Sequence, residues 1–231
     1  MDNPRHLAII LDGNRRYAKK LQMKPWKGHK FGLRKLAELF DWCSELGIRE
    51  LTLYAFSTEN FNRDKREVQF LFDLFKNEFR KMESDKRFLD KDIKVNIIGN
   101  ISMFPKDISD MMLKLVEKTK GKKSLVVNFA LAYGGRQEIV EATRKILEKV
   151  KNKKIKPEDV DEKLLSDNMY LKSEPEIVIR PGGEIRTSNF LTWQSVYSEW
   201  FFIDKLWPEF TKDDLIRILD DYKKRERRFG K

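Results

Sequence analysis

The sequence predicts one α/β domain, residues 1–231, built on a mostly parallel sheet of about six strands covered by helices. Three observations carry that prediction. The 231 residues suffice for a single domain with a sizeable core. Six short runs rich in Ile, Val, Leu and Phe recur along the chain, several of them continuously apolar, as in strands buried on both faces. Stretches with helical periodicity separate most of these runs, which is the signature of strand–helix–strand units.

The runs at 6–12, 50–57, 94–99, 124–132, 176–180 and 198–204 are read as the strands. Between them, 29–46 places Leu36, Leu39, Phe40 and Cys43 on one helical face and stops at Gly47. Residues 136–150 carry Ile139, Val140, Ile146, Leu147 and Val150 at helical spacing. From Val68 to Met82 an unusually apolar helix is expected, with Val68, Leu71, Phe72, Phe75, Phe79 and Met82 in period and Phe70 and Leu74 widening the stripe. Such a stripe suits a deeply buried helix, and it suits equally a helix with one flank on the sheet and the other lining an apolar cavity. Spacing does not decide between them. No internal repeat occurs, and the polar stretches at 151–157 and 172–175 are connectors too short to divide domains.

Composition narrows the classes. Charged residues make up 37% and hydrophobic ones 40%, and no apolar run approaches the roughly 20 residues of a membrane span. The opening residues do not read as a signal peptide, because their short apolar stretch leads into Asp12. A single cysteine, Cys43, excludes an internal disulfide and fits a reducing compartment, so a cytoplasmic address is expected. The net charge of +11 suits a polyanionic partner: nucleic acid, an acidic membrane face or phosphorylated substrates. Six basic residues and one acid crowd into 223–231. The chain shows no RNA-recognition, zinc-finger or basic-zipper signature, so nucleic acid is not the expected partner.

Three polar clusters follow predicted strands, where ligands of parallel α/β sheets bind. Asp12-Gly13-Asn14-Arg15-Arg16 joins a glycine that lets the backbone approach a phosphate to two adjacent guanidinium donors. Asp12 among these cations suits a Mg²⁺ ion shared with phosphate oxygens, since Mg²⁺ takes one or two carboxylates plus phosphate. Alone, Asp-Gly is also an ordinary turn. Ser57-Thr58-Glu59-Asn60-Phe61-Asn62-Arg63 gathers hydroxyls, an amide, an acid and an Arg, although a polar loop with Asn60 as a local cap explains it too. Arg180-Pro181-Gly182-Gly183-Glu184-Ile185-Arg186-Thr187-Ser188 reads as a second phosphate cradle, because a Pro-Gly turn does not account for Arg180, Arg186 and Ser188 together. Glu199, at the start of the last strand, is a second candidate metal carboxylate.

These blocks, with GH at 28–29, YGGR at 133–136, LWPEF at 206–210 and RERRFG at 225–230, resemble the cis-prenyltransferases, the undecaprenyl and dehydrodolichyl diphosphate synthases. They run in family order from residue 6 to residue 230. The resemblance implies an enzyme that condenses isopentenyl diphosphate repeatedly onto an allylic diphosphate, farnesyl or geranylgeranyl, to give a long polyprenyl diphosphate. It implies Mg²⁺ as cofactor, with Asp12 as catalytic aspartate and metal ligand and Glu199 as another ligand. Gly13, Asn14, Arg15, Arg16 and Tyr17 would hold the allylic diphosphate, with His29 nearby. Ser57, Thr58, Glu59, Phe61 and Arg63 would join the substrate site, and Asn60 takes the position assigned to proton removal. Arg180, Arg186, Thr187 and Ser188 would cradle isopentenyl diphosphate. Arg228 and Gly230 match the family's Arg-x-Gly ending, which implies a homodimer whose tails complete each other's sites. Peripheral contact with a membrane, where the product leaves, is a further expectation.

The chemistry agrees with the residue types. An allylic diphosphate departs only if its developing charge is neutralised, and two anionic substrates demand two cationic cradles. Each buried C₅ unit is worth roughly 3–4 kcal/mol at about 0.8 kcal/mol per CH₂, so an apolar tunnel would draw the product along. In the family the helix after the second cluster walls that tunnel, which favours the cavity reading of 68–82. The trans-prenyltransferases use paired DDxxD motifs; here Asp213-Asp214 and Asp220-Asp221 are followed by Arg217 and Lys224 where the third Asp would stand. Retention of Asp12, Arg15, Arg16 and Arg186 argues against a non-catalytic partner subunit. Arg15 replaces a glycine common in bacterial members, so DGNRR leans toward the archaeal and eukaryotic branch. Phe61 replaces a common Trp, Pro25 a frequent basic residue, and Ile185 a frequent His.

Overall fold

The computed structural model describes residues 3–84 and 90–225. Six strands form one sheet: β1 (His6–Ile10), β2 (Glu50–Ser57), β3 (Ile93–Ile98), β4 (Leu125–Tyr133), β5 (Ile177–Pro181) and β6 (Glu199–Ile203), in the order β3-β4-β2-β1-β5-β6. Every pairing is parallel. The expected strands are therefore all present, with ends moved by one or two residues.

The helices are α1 (Asn14–Lys20), α2 (His29–Glu45), α3 (Lys65–Ser84), α4 (Lys106–Thr119), α5 (Gly135–Lys151), α6 (Glu162–Asn168) and α7 (Lys212–Lys224). Local chemistry sets their limits. The predicted stop of α2 at Gly47 is real: Gly47 takes φ +75°, and Ile48 N–H closes back on Cys43 O at 2.9 Å. Thr211 caps α7 by accepting from Asp214 N–H, while the Asp214 carboxylate accepts from Thr211 N–H at 2.9 Å.

Strand residues alternate between two cores. Leu7 and Ile9 of β1 point into a large cluster with the buried faces of α2, α3, α4 and α7; Ala8 and Ile10 point into a smaller one containing Tyr54, Tyr133, Phe190 and Leu191. As expected, Leu36, Leu39, Phe40 and Cys43 are the buried face of α2. On α5 the outcome differs from the apolar pattern. Val140 and Leu147 are 48% and 60% exposed, while Glu138 is buried. Its carboxylate accepts from Tyr170 N–H (2.8 Å), Leu171 N–H (3.1 Å), Gln194 Nε2 (3.1 Å) and the Tyr133 hydroxyl. Four donors compensate its lost hydration, so it ties α5 to two loops without an orphaned charge.

Among the described residues no helix is long and apolar enough to cross a membrane. From β1 the chain crosses to β2 on one side, and β5 later pairs with β1 on the other. The carboxyl ends of β1, β2 and β5 thus flank a crevice at the point where strand order reverses.

Candidate active site

The three polar clusters meet at that crevice. Asp12 follows β1, residues 57–63 follow β2, and residues 180–189 leave β5. Gly13 takes φ +101° against Leu206, where a Cβ would come within 2.9 Å of the Leu206 side chain, so a glycine is required there. This turn swings Asp12 toward β5. Its Oδ2 accepts from Arg180 Nη2 at 2.9 Å and its Oδ1 from Arg16 Nη2 at 3.2 Å.

Arg180 is buried, and its Nη1 donates to Ser188 Oγ at 2.7 Å and to the Arg186 carbonyl. Arg16 Nη1 donates to Gly182 O at 2.5 Å. Gly182 has φ +104°, and a Cβ there would stand 2.5 Å from Arg16 Nη2. The glycine pair is thus a place where a guanidinium lies flat on backbone. Arg186 reaches Glu184 at 2.5 Å and is more than half exposed.

Two cavities share this floor. One, of about 560 Å³, is lined by Asp12, Ser57, Asn60, Arg180 and Ser188 on its polar side and by Phe56 and Leu71 on its apolar side. The other, of about 440 Å³, is lined by Gly13, Arg15, Arg16, Lys19 and Glu184. Asp12, Asn14, His29, Arg63 and Arg186 border both. Asn60 Oδ1 accepts from Ser57 N–H at 3.1 Å, closing the reciprocal cap that a polar-loop reading expects, yet the residue still lines the first cavity. Glu59 lines it too and accepts from Asn189 Nδ2 at 3.2 Å.

Glu67, in the first turn of α3, was not among the sequence candidates. Its buried carboxylate lies 2.8 Å from Arg63 Nη1, 3.7 Å from Arg15 Nε and 3.6 Å from His29 Nε2. His29 and the two guanidiniums hold it below the usual carboxylate range, against the effect of burial. Burial in turn pushes the His29 imidazole down, against Glu67, so its neutral form is favoured. The available signal was the Arg63–Glu67 spacing on one helical face.

Several expected site residues border neither cavity. Tyr17 stacks edge-on with Phe31 at 5.2 Å. Thr58 faces Gly134, Thr187 is exposed, and Phe61 packs on Phe56 at 4.9 Å between ring centroids. Ile185 is 80% exposed. Glu199 begins β6 in register with Ile177, three residues below the level of Arg180, or roughly 10 Å along the strands at about 3.3 Å per residue. It receives Arg225 Nη1 at 2.6 Å, and one subunit does not bring it to Asp12. Arg228 and Gly230 lie outside the described residues.

The apolar stripe of α3 is packed with rings. Phe56, Phe61, Phe72, Phe75 and Phe104 stand 4.9–6.3 Å apart in neighbouring pairs. Leu71 alone of the stripe lines the first cavity, and Phe70 is half-buried beneath Lys30. The core reading of 68–82 describes this arrangement, and the expected apolar tunnel is here a cavity floor closed by aromatic packing.

For a metal, the described residues contain no cluster of three or more His, Cys, Asp or Glu side chains. Asp12, a carboxylate bordering both cavities beside Arg16 and Arg180, is a donor of the kind that Mg²⁺ combines with phosphate oxygens.

The undecaprenyl diphosphate synthase family model matches residues 10–230. A tritrans,polycis-undecaprenyl-diphosphate synthase (geranylgeranyl-diphosphate specific) from Pyrococcus abyssi is 50% identical over 99% of this chain and 87% of its own length. An isoprenyl transferase from Thermus thermophilus is 44% identical over 99% of this chain and 89% of its own. The crystal structure of lavandulyl diphosphate synthase from Lavandula x intermedia, in complex with dimethylallyl diphosphate, superposes with a TM-score of 0.92 at 35% identity, covering 99% of both chains.

Proposed function

This chain belongs to the undecaprenyl diphosphate synthase family, a family of cis-prenyltransferases that condense isopentenyl diphosphate with an allylic diphosphate, and from that premise we propose how its own residues divide the work. The observation that carries the reading is the position of Asp12 at the seam of two cavities, each provided with its own guanidiniums.

The cavity of Gly13, Arg15 and Arg16 takes the allylic diphosphate, and that of Arg180, Arg186 and Ser188 takes isopentenyl diphosphate. Geranylgeranyl diphosphate is the preferred primer, as the specificity in the Pyrococcus relative's name supports. Asp12, with diphosphate oxygens, holds Mg²⁺, which when bound neutralises charge on the departing diphosphate. Arg15, Arg16 and Arg63 orient that leaving group and stabilise the negative charge that grows as the allylic C–O bond breaks. Arg180 and Ser188 orient the second substrate so that its double bond faces the allylic carbon, and that electron pair forms the new C–C bond. A proton then passes from the isopentenyl unit to an oxygen of the released diphosphate, the base that the reaction itself supplies. Asn60 is a carboxamide whose oxygen already accepts from Ser57, so its part is to orient the reacting unit by donation from Nδ2. Phe56 and Leu71 give the hydrocarbon its first dry surface.

A homodimer completes this reading. The sheet ends at β6, and Val196, Tyr197 and Ile185 nearby are 63–80% exposed. Glu199 can join Asp12 only from a second subunit. The deciding experiment incubates the protein with labelled isopentenyl diphosphate and dimethylallyl, farnesyl or geranylgeranyl diphosphate, with Mg²⁺ or with chelator. Polyprenyl diphosphate formed fastest from the geranylgeranyl primer, and only with Mg²⁺, is expected. Incorporation from no primer overturns the reading.

A further inference from the structure

The third polar cluster ends in a backbone that residues other than glycine rarely adopt. Ser188, Asn189 and Leu191 take φ of +50°, +62° and +45°, all in the left-handed region. Such conformations persist only where the surroundings hold them, and they collect at ligand sites. Ser188 and Asn189 both line the cavity assigned above to isopentenyl diphosphate.

Asn189 is held from two sides. Its carbonyl accepts from Gly135 N–H at 2.8 Å and its Oδ1 from Arg136 N–H at 2.9 Å, so it satisfies the first free donors of α5. The cap position of that helix is Gly134, which has no side chain for the task. At the other end of the amide, Nδ2 donates to Glu59 Oε1 at 3.2 Å. Burial opposes the charge of Glu59, but hydrogen bonds from its own backbone, Ser57, Asn189 and Thr58 prevail and hold its carboxyl below the usual range. An ionised Glu59 accepts only, so the amide has one allowed orientation.

This contact gives the glycine pair of YGGR, at 133–136, its purpose. A Cβ on Gly134 would stand 2.9 Å from Asn189 Nδ2, and one on Gly135 would collide with the Thr192 hydroxyl. Without side chains there, the loop lies directly on the start of α5. Ser188, the preceding residue, presents Oγ to Arg180 Nη1 at 2.7 Å. Its carbonyl accepts from the Tyr54 hydroxyl at 3.4 Å, and the Tyr54 ring stacks on Phe190 at 4.6 Å. Rotation of the Asn189 backbone would carry Ser188 away from Arg180.

We infer that Asn189 is a positioning residue for the second substrate, tying Glu59 after β2 and Ser188 after β5 to the first turn of α5. It acts through Ser188 and Arg180, whose grip on isopentenyl diphosphate it sets. The inference rests on the cradle assignment proposed above.

Steady-state kinetics separate this role from that of an ordinary turn. Asn189→Gly keeps the left-handed backbone and removes the amide. Asn189→Asp keeps the acceptor for Arg136 N–H but sets an oxygen against the ionised Glu59. Both should raise KM for isopentenyl diphosphate about tenfold or more, as expected when a hydrogen bond to a charged group is lost. KM for geranylgeranyl diphosphate should move by less than about twofold, because the allylic cavity is built from other residues. Asn189→Asp combined with Glu59→Gln returns the bond with its direction reversed, amide donating to carboxylate. The combined rise in KM should then be at least about fivefold smaller than the product of the separate rises.

An unchanged KM for isopentenyl diphosphate in Asn189→Gly would show that only the backbone conformation matters, and it overturns the inference. Equal rises for both substrates overturn it too, as the mark of a loop that has merely come loose. So do effects that simply multiply in the double variant. If Asn189→Gly melts early, Asn189→Asp, which keeps the helix cap, decides the question with the double variant. Incorporation by the unaltered chain is a separate control: with it intact, each of these failures falls on Asn189 alone and the catalytic reading stands.

Discussion

Arg180 donates from Nη2 to Asp12 Oδ2 at 2.9 Å, a contact across 168 residues of chain that joins the carboxyl ends of β5 and β1. Arg180 is 4% exposed at its side chain and Asp12 27%, so the pair has a dry side and a side open to ligand. Asp12→Asn keeps the size of the side chain and removes the charge that Mg²⁺ and Arg180 need. Turnover should fall by about a thousandfold or more, equivalent to about 4 kcal/mol at 1.36 kcal/mol per decade. Circular dichroism should still report a folded protein. Near-normal incorporation of isopentenyl diphosphate by the pure variant would end the mechanism.

Product length should respond to the ring cluster beneath the first cavity. Phe75 lies 5.9 Å from Phe56 and 6.2 Å from Phe104 by ring centroids, where the growing chain must find room. Phe75→Leu and Phe104→Leu should lengthen the product, while Phe70→Leu on the outer flank beneath Lys30 should not. Chromatography of dephosphorylated products decides it. Identical distributions for all three, with folding intact, would return α3 to the role of core helix alone.

One buried and one half-buried histidine make the fold sensitive to mild acid. Burial lowers the pKa of both His6 and His29. The unfolded chain then binds protons below about pH 6.5 that the folded chain refuses. Stability should therefore decrease as pH falls below that value, and level off once pH passes the folded pKa values. Urea midpoints at pH 7.5 and 5.5 test the sign; replacing His29 by Gln should flatten the difference.

Asp214 gives a second, more acidic transition. Burial opposes its charge, but Lys205, Thr211 and Arg217 prevail and bring its pKa to about 2. The stability it contributes is present above the ordinary value and is lost as pH falls toward 2. A depression of this size amounts to about 2–3 kcal/mol. Asp214→Asn should cost about that much in urea unfolding and leave kcat unchanged, because the carboxylate borders neither cavity.

The dimer has its own test. Deleting residues 228–231 should raise KM for isopentenyl diphosphate, or lower kcat, at least tenfold, as expected for an Arg making two charge-assisted hydrogen bonds worth about 1.5–3 kcal/mol each. Mixing this chain with Asp12→Ala should restore partial activity, since one hybrid site then has both Asp12 and a tail. Confirmed subunit exchange without recovery would confine the tail to its own subunit.

Strand identity and the three ligand clusters could be read from the sequence because their information is local. A run such as Leu7–Ala8–Ile9–Ile10 is apolar at every position, the pattern of a strand covered on both faces. Asp12, Asn60 and Arg180 announce themselves by standing at or just past the carboxyl ends of such runs. The tertiary structure alone decided which of them meet. Tyr17, Thr58 and Thr187 lie in the right segments and point elsewhere, since neighbours along a turn face different directions. Glu67 was hidden because an acid in a helix reads as solvated surface until Arg15 and His29, from elsewhere in the chain, join Arg63 around it. The apolar stripe of α3 shows the same limit: periodicity says which face is dry, while contact with Phe56 and Phe104 from other elements decides whether that face meets packed rings or open space. Local pattern thus specifies the elements, and the long-range pairing of strands in the order β3-β4-β2-β1-β5-β6 assembles the site.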